Sequence, residues 1–396
     1  MPPVSSWLLS LVTTMTLVTA ADAYKNRTMH KWVINSANLA WQSAVEAEAA
    51  LESGRFRREN IMISRFQMMD SGDAVTTFLV MPNLAMGVPF TLGKVELAHG
   101  VNNLFPQIAP FPHWDAYNED WTKSLIVNVV DVYVDVKGVL WALDVGDVET
   151  KTFVKHVSPP KILAMDPQTS QIKRVASMAS VMHASSFYQY IVALYTDSDD
   201  LMVFVSDPGT NHVVVYVYDC DRFFEIILSP DIYMPGKRDI LYMAPLMLRR
   251  GTRLLLTYHD GWNMYKVQAD IMDKTSDTAM LSVIGEKPCN MVLLGTDRGS
   301  VLFFRMENTN DVWSWDGNTP LDSDNFNLVH LGTTCRVPVV VCSSRGLMWV
   351  METNFVDYFE GTNDRMGANA KLQLLQKPTP PLRVQPRGKR DSCRRS

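Results

Sequence analysis

Short apolar runs separated by turn residues fill the chain from Asn60 to Met351. Segments 61–65, 74–81, 124–135, 139–143, 162–166, 201–206, 212–218, 240–246, 254–258, 301–306, 337–342 and 347–351 read as β-strands. They are rich in Val, Ile, Tyr and Phe and are bounded by Gly, Pro, Asp or Asn. Asp207-Pro-Gly-Thr-Asn211 predicts a tight hairpin, because Pro fixes φ and Gly supplies positive φ. One helix-like patch, 37–51, is rich in Ala and Glu and predicts a surface helix or crossing segment. So many strands with so little helix predict an all-β fold.

The strands repeat. Lys137-Gly-Val-Leu-Trp-Ala-Leu-Asp144 and Arg345-Gly-Leu-Met-Trp-Val-Met-Glu352 share a Gly turn, a Trp three residues later and an acid three residues after that. Asp297-Arg-Gly-Ser-Val-Leu-Phe-Phe304 repeats the turn and the apolar run without the Trp. Gly138, Gly299 and Gly346 are separated by 161 and 47 residues, multiples of a unit of roughly 40–55 residues, the period of a β-propeller blade. The alternative is a β-sandwich with two similar hairpins.

Composition narrows the picture. At 47% hydrophobic and 20% charged, the 396 residues can build a large core. No low-complexity block marks a passive matrix protein. Net charge is −5. The tail from Arg383 to Ser396 holds six basic residues and Asp391, or +5, so the remainder is near −10. An acidic body excludes nucleic-acid binding through phosphates.

Residues 7–20 are apolar over about the length of a secretory core and too short to span a membrane. Small residues at Val18-Thr-Ala20 and Ala21-Asp-Ala23 offer cleavage sites. The expectation is a signal peptide over 1–23 and a secreted, extracellular protein with no membrane insertion. Asn26-Arg-Thr28 is a glycosylation sequon. Segment 24–50 is expected to carry the short helix and 51–377 the β domain. Residues 378–396, rich in Pro and then basic, are expected to be a disordered tail. Within it Arg387-Gly-Lys-Arg390 reads either as solvated charge or as a proprotein-convertase site.

Familiar catalytic motifs are missing. Gly87 to Lys94 has one residue too many for a P-loop, and Val95 stands where Ser or Thr is needed. There is no GxSxG, HExxH or GxGxxG. The cysteines, Cys220, Cys289, Cys335, Cys342 and Cys393, lack zinc-type spacing. His113, His212, His259 and His330 read as surface or hydrogen-bonded structural residues, so neither a metal nor a cofactor is expected.

An ordered set of segments carries a family resemblance. It runs through Ser53-Gly-Arg-Phe56, Met86-Gly-Val-Pro-Phe-Thr-Leu-Gly93 and Ala109-Pro-Phe-Pro-His-Trp114. It continues through Val134-Asp-Val-Lys-Gly-Val-Leu-Trp-Ala-Leu-Asp-Val-Gly146, Ser158-Pro-Pro-Lys161, Phe204-Val-Ser-Asp207, Ile240-Leu-Tyr-Met-Ala-Pro-Leu246 and Leu347-Met-Trp-Val350. Over roughly 50–355 the chain resembles the insect yellow and major royal jelly protein family. The Val-Asp repeat before Leu140-Trp is most similar to the eggshell-associated yellow-g branch. Trp121 and Val136 stand where the family usually has Cys, Pro82-Asn83 where it has Pro-Arg, and Trp349-Val-Met-Glu-Thr-Asn354 replaces its usual ending.

The resemblance implies a secreted six-bladed β-propeller acting in pigmentation, melanisation, or hardening of cuticle or eggshell (chorion). Some relatives are credited with dopachrome conversion, an isomerisation that needs a base and an acid. Such groups would come from loops at one end of the central channel. His113, Asp144, Asp207 and Glu352 lie at strand or turn ends and are the candidates, although Asp144 and Glu352 also read as closing hydrogen-bond networks within blades. Other relatives bind biogenic amines, and the matching stretch is Thr353, Asn354 and Phe355, with the Asn displaced by one position. The partners implied are a small catechol or indoleamine and extracellular matrix or eggshell proteins. The missing Arg and cysteines and the displaced Asn rank a matrix role first, a dopachrome-type isomerase second and an amine carrier third.

Overall fold

The repeated Gly turns join the first and second strands of three of the sheets. Gly138 (φ 79°) and Gly346 (φ 66°) sit in the left-handed region with open space around the Cα, so glycine is needed there for its backbone and not for room. Asp135 Oδ1 accepts from the backbone N–H of Lys137 and Val139, both at 2.9 Å. Asp297 Oδ1 does the same for Gly299 at 2.7 Å and Val301 at 3.0 Å. These Asx-type caps fix the hairpin direction. Second strands of this kind are buried on both faces: Leu140–Asp144, behind the Asp135 turn, and Leu201–Asp207 are buried at every position.

The computed structural model describes residues 31–71, 74–98, 105–151, 153–196, 199–233, 239–249, 251–268, 281–362 and 369–375. The expected signal segment 1–23, the Asn26 sequon and the tail 378–396 lie outside the described residues. Six four-stranded antiparallel sheets form. Their inner strands are Arg65–Ser71, Val129–Val134, Ile191–Tyr195, Leu241–Leu248, Met291–Thr296 and Val337–Ser344, which number blades 1 to 6. Each inner strand touches the next, and the sixth touches the first, closing a ring. The protein is a six-bladed β-propeller: the repeat spacing predicts the propeller, and the family resemblance implies its six blades.

Closure uses a strand outside the expected β domain. Lys31–Asn35 pairs with Asn369–Leu374 and becomes the outermost strand of blade 6. Among the described residues the propeller's first strand therefore starts at Lys31, ahead of the expected boundary at 51. Trp32 is buried with its ring 4.8 Å from that of Trp349 on the second strand of the same blade. The helix is Ala44–Glu52, shorter than the 37–51 expected, and Ser43 Oγ caps it by accepting from the Glu46 N–H at 3.1 Å. Apolar clusters fill the spaces between neighbouring blades, which is how small sheets bury both faces. Cys220, Cys289, Cys335 and Cys342 are free thiols. Among the described residues no helix is long and apolar enough to cross a membrane.

Candidate functional site

The six inner strands enclose an axial cavity of about 100 Å³. Its chemistry gathers near the N-terminal ends of those strands. Arg65 opens the inner strand of blade 1, Asp131 lies on that of blade 2, Tyr190 immediately precedes that of blade 3 and Tyr242 lies on that of blade 4. A register shift between Val129 and Asp131 makes a bulge in the second of these strands. Bulges re-aim side chains, and here the residue that resumes the register is a carboxylate lining the axis.

Asp131 is 7% exposed. Its Oδ2 accepts from the Ile191 N–H at 2.9 Å, tying blade 2 to blade 3, and its Oδ1 faces Arg65 Nε at 3.8 Å. Burial lifts the Asp131 carboxyl to about 6, against the opposing pull of Arg65 and of the backbone N–H groups of Ile191 and Val132. Burial also works against the Arg65 charge, but Tyr190, Asp131 and Tyr242 outweigh it and the guanidinium stays charged. Arg65 Nη2 donates to Tyr190 Oη at 2.9 Å, and its guanidinium carbon lies 5.0 Å from the centre of that ring. Tyr190 and Tyr242 have ring centres 5.5 Å apart, and burial raises the pKa of both. Deeper in the channel lie Tyr133, pushed up to about 12 by burial, and the Cys342 thiol, also pushed up to about 12 by burial.

The site thus holds a carboxyl that changes charge near neutrality, a fixed cation beside it and phenols that stay protonated. Tyr190 accepts from Arg65 through its oxygen, which leaves its proton for a ligand. A base and an acid at one place can move a proton from carbon to oxygen.

None of the residues expected from the sequence lines this cavity. His113 is exposed, beyond the last strand of blade 1. Asp144 is fully buried at the end of the second strand of blade 2, where it accepts from the N–H groups of Val127, Asn128 and Gly146 and pairs with Lys161 at 2.9 Å. Asp207, at the equivalent place in blade 3, accepts from Phe187 and Gly209. Glu352, near the end of the second strand of blade 6, meets His330 at 2.9 Å and Lys371 at 3.1 Å. Burial pushes the Glu352 pKa up, but His330 and Lys371 outweigh it and the net direction is down. Thr353 is buried beside Glu352, and Asn354 accepts from the Asn369 N–H. Phe355 opens the short helix Phe355–Glu360 and packs at the small cluster of Met62 and Tyr358.

A larger concavity of about 770 Å³ lies off the axis, lined by Glu46, Arg55, Trp114, Tyr117, Glu119 and Trp121 among others. Its Arg55 is already paired with exposed Glu119 at 2.6 Å. The axial pocket, with a buried carboxyl shifted toward neutrality, is the stronger chemical site.

A propeller with a polar, charge-perturbed axial pocket is a binding or catalytic scaffold. Residues 127–246 and 263–377, more than half of the chain, match the family model described as major royal jelly protein, and the chain belongs to that family. Protein yellow of Drosophila pseudoobscura pseudoobscura is 25% identical over 215 residues, covering 54% of this chain and 37% of that protein. The dopaminechrome tautomerase of Drosophila melanogaster is 24% identical over 291 residues, covering 64% of this chain and 60% of that protein. The chain therefore matches less than two thirds of either relative's length. Among solved structures, the GH93 α-L-arabinofuranosidase of Fusarium graminearum with arabinobiose aligns with a TM-score of 0.49 at 10% identity, covering 81% of this chain and 94% of that one. Likeness of that degree says nothing about chemistry.

Proposed function

We propose that this chain is an exported yellow-family propeller that acts in pigmentation and hardening of an extracellular matrix such as cuticle or eggshell, and that its axial pocket isomerises a catechol-derived aminochrome. The observation that carries the reading is Asp131, a buried carboxyl with a pKa of about 6 beside Arg65 and Tyr190. Conversion of an aminochrome to a dihydroxyindole moves two protons from saturated ring carbons to two quinone oxygens, with no net oxidation. The Asp131 carboxylate takes one ring-carbon proton and passes it to the second quinone oxygen, and the second ring-carbon proton restores the Tyr190 phenol after it has given its own proton to the first oxygen, so both groups end as they began. Tyr190, held by Arg65, supplies a proton to oxygen, and the Arg65 charge stabilises the developing enolate. The similarity to a dopaminechrome tautomerase makes aminochromes the first substrates to test.

The cavity of about 100 Å³ is smaller than the roughly 300–1,000 Å³ of drug-sized sites, which disfavours sugar chains and peptides. A bicyclic aminochrome fits only if lining side chains such as Tyr242 swing aside. A second reading, an amine carrier, is favoured by the same tyrosines and Asp131, which suit a cation.

One paired experiment separates the readings. Aminochrome decay is followed against heat-inactivated protein, with calorimetric titration of dopamine and serotonin alongside. Protein-dependent decay that is lost in Asp131→Asn supports the isomerase. Binding without decay makes the protein a carrier. Neither result would remove both small-molecule readings and leave the matrix role alone.

A further inference from the structure

The loop leading into blade 3 folds back over a hairpin turn of the same blade and is fixed there at several points. Asp207 Oδ1 accepts from the Phe187 N–H at 2.7 Å and the Gly209 N–H at 3.1 Å. A Cβ at Gly209 would lie 1.9 Å from the Ser185 carbonyl oxygen, so the close approach requires glycine. The Ser186 N–H donates to the His183 carbonyl at 3.1 Å, and Ser186 Oγ accepts from the His183 N–H at 3.0 Å. His183 is thereby held over the outer part of the blade, where His212 opens the strand His212–Val217 and Glu225 stands on Arg222–Ile227. His212 lies opposite Ile227 and Val214 opposite Glu225, so His212 and Glu225 are diagonal neighbours on one face.

The three side chains converge. Glu225 Oε1 lies 2.9 Å from His183 Nε2 and 3.0 Å from His212 Nδ1, and the three donor atoms fall within 4.8 Å of one another. We propose that His183, His212 and Glu225 form a binding site for a divalent transition-metal ion of the zinc class, with the remaining coordination position open to solvent.

Two imidazoles and one carboxylate are a donor set that zinc takes in sites keeping a position for water, and imidazole favours zinc, copper or nickel over calcium and magnesium. A tetrahedral ion with bonds of about 2.0–2.1 Å sets its donors roughly 3.3 Å apart. The two carboxylate-to-imidazole distances, 2.9 and 3.0 Å, lie near that spacing. The side chains of His212 and Glu225 are 17% and 22% exposed and form the anchored base, whereas His183 at 46% leaves one side to solvent. The backbone clamp through Asp207 and Gly209 fixes the loop that carries His183, so metal binding needs little ordering. This site is on blade 3, apart from the axial pocket, and does not depend on the function proposed for that pocket.

The test is calorimetric titration of chelator-stripped, tag-free full-length protein with Zn²⁺. One ion binds per chain, Mg²⁺ gives no saturable heat, and His212→Gln and Glu225→Gln each weaken binding at least about tenfold. Cys220→Ser and Cys335→Ser, which remove exposed thiols, leave the affinity unchanged. His183→Gln alters only a loop side chain, and Zn²⁺ raises the melting temperature of the native protein but not of this variant. Equal Zn²⁺ affinity in the native protein and the His or Glu variants, loss that follows the thiols, or no saturable binding would each overturn the proposal.

Discussion

Asp131 interrupts the apolar strand Val129–Val134, and a carboxylate in such a strand needs compensation from somewhere. Arg65 and the Ile191 N–H supply part of it, and the remainder shows as a pKa of about 6. Removing the charge has two readable consequences. In Asp131→Asn, aminochrome turnover is expected to fall at least about 100-fold while circular dichroism is unchanged, since the amide oxygen can still accept from Ile191. The folded pKa lies above the unfolded value of 3.8, so this group favours the fold below about pH 4 and loses that contribution as pH rises through 6. The melting temperature of Asp131→Asn relative to the native protein should therefore rise between pH 4 and pH 7, read by scanning calorimetry. Tyr190→Phe keeps the ring stacking and removes the proton, and a drop in turnover of about tenfold or more is expected from steady-state rates. At this scale the sequence was partly legible. Asp144 and Glu352 stand out in the repeats and Asp207 in its hairpin turn, and all three hold hydrogen bonds or ion pairs within their blades. Asp131 shows in the sequence only as a charge inside an apolar strand, and its chemistry comes from a bulge and from residues of two other blades.

Among the elements, the second strands were the easiest to read. Leu140–Asp144, Leu201–Asp207, Val301–Met306 and Leu347–Thr353 are apolar runs behind tight turns, and burial between two neighbouring blades keeps both of their faces apolar. Outer strands such as Ile172–Ser177, Arg222–Ile227 and Ser282–Glu286 carry exposed polar positions and blend into loops. The strand Lys31–Asn35 was missed for another reason: its partner Asn369–Leu374 lies at the other end of the described chain, and no local pattern reports a pairing that remote. Its contribution can be measured. Trp32 is 1% exposed against Trp349, so Trp32→Ala should cost about 3–5 kcal/mol, read as a fall in the denaturant midpoint with little change in slope.

The whole molecule is a ring, and the ring makes the site. Six inner strands bring Arg65, Asp131, Tyr190 and Tyr242 from four blades to one axis, although Arg65 and Tyr242 lie 177 positions apart in sequence. The repeat spacing predicts the ring but cannot say which inward positions carry charge, because each blade's inner strand has diverged on its own. The ring's function, as proposed, is proton-transfer chemistry in the axial pocket through the Asp131 carboxylate. The most direct test is the pH dependence of kcat/KM for aminochrome isomerisation by the native protein and by Asp131→Asn. Activity that falls on acidification with an apparent pKa near 6, and a residual rate in the variant without that limb, is the predicted result. A variant as active as the native protein with the same acid limb would contradict the claim.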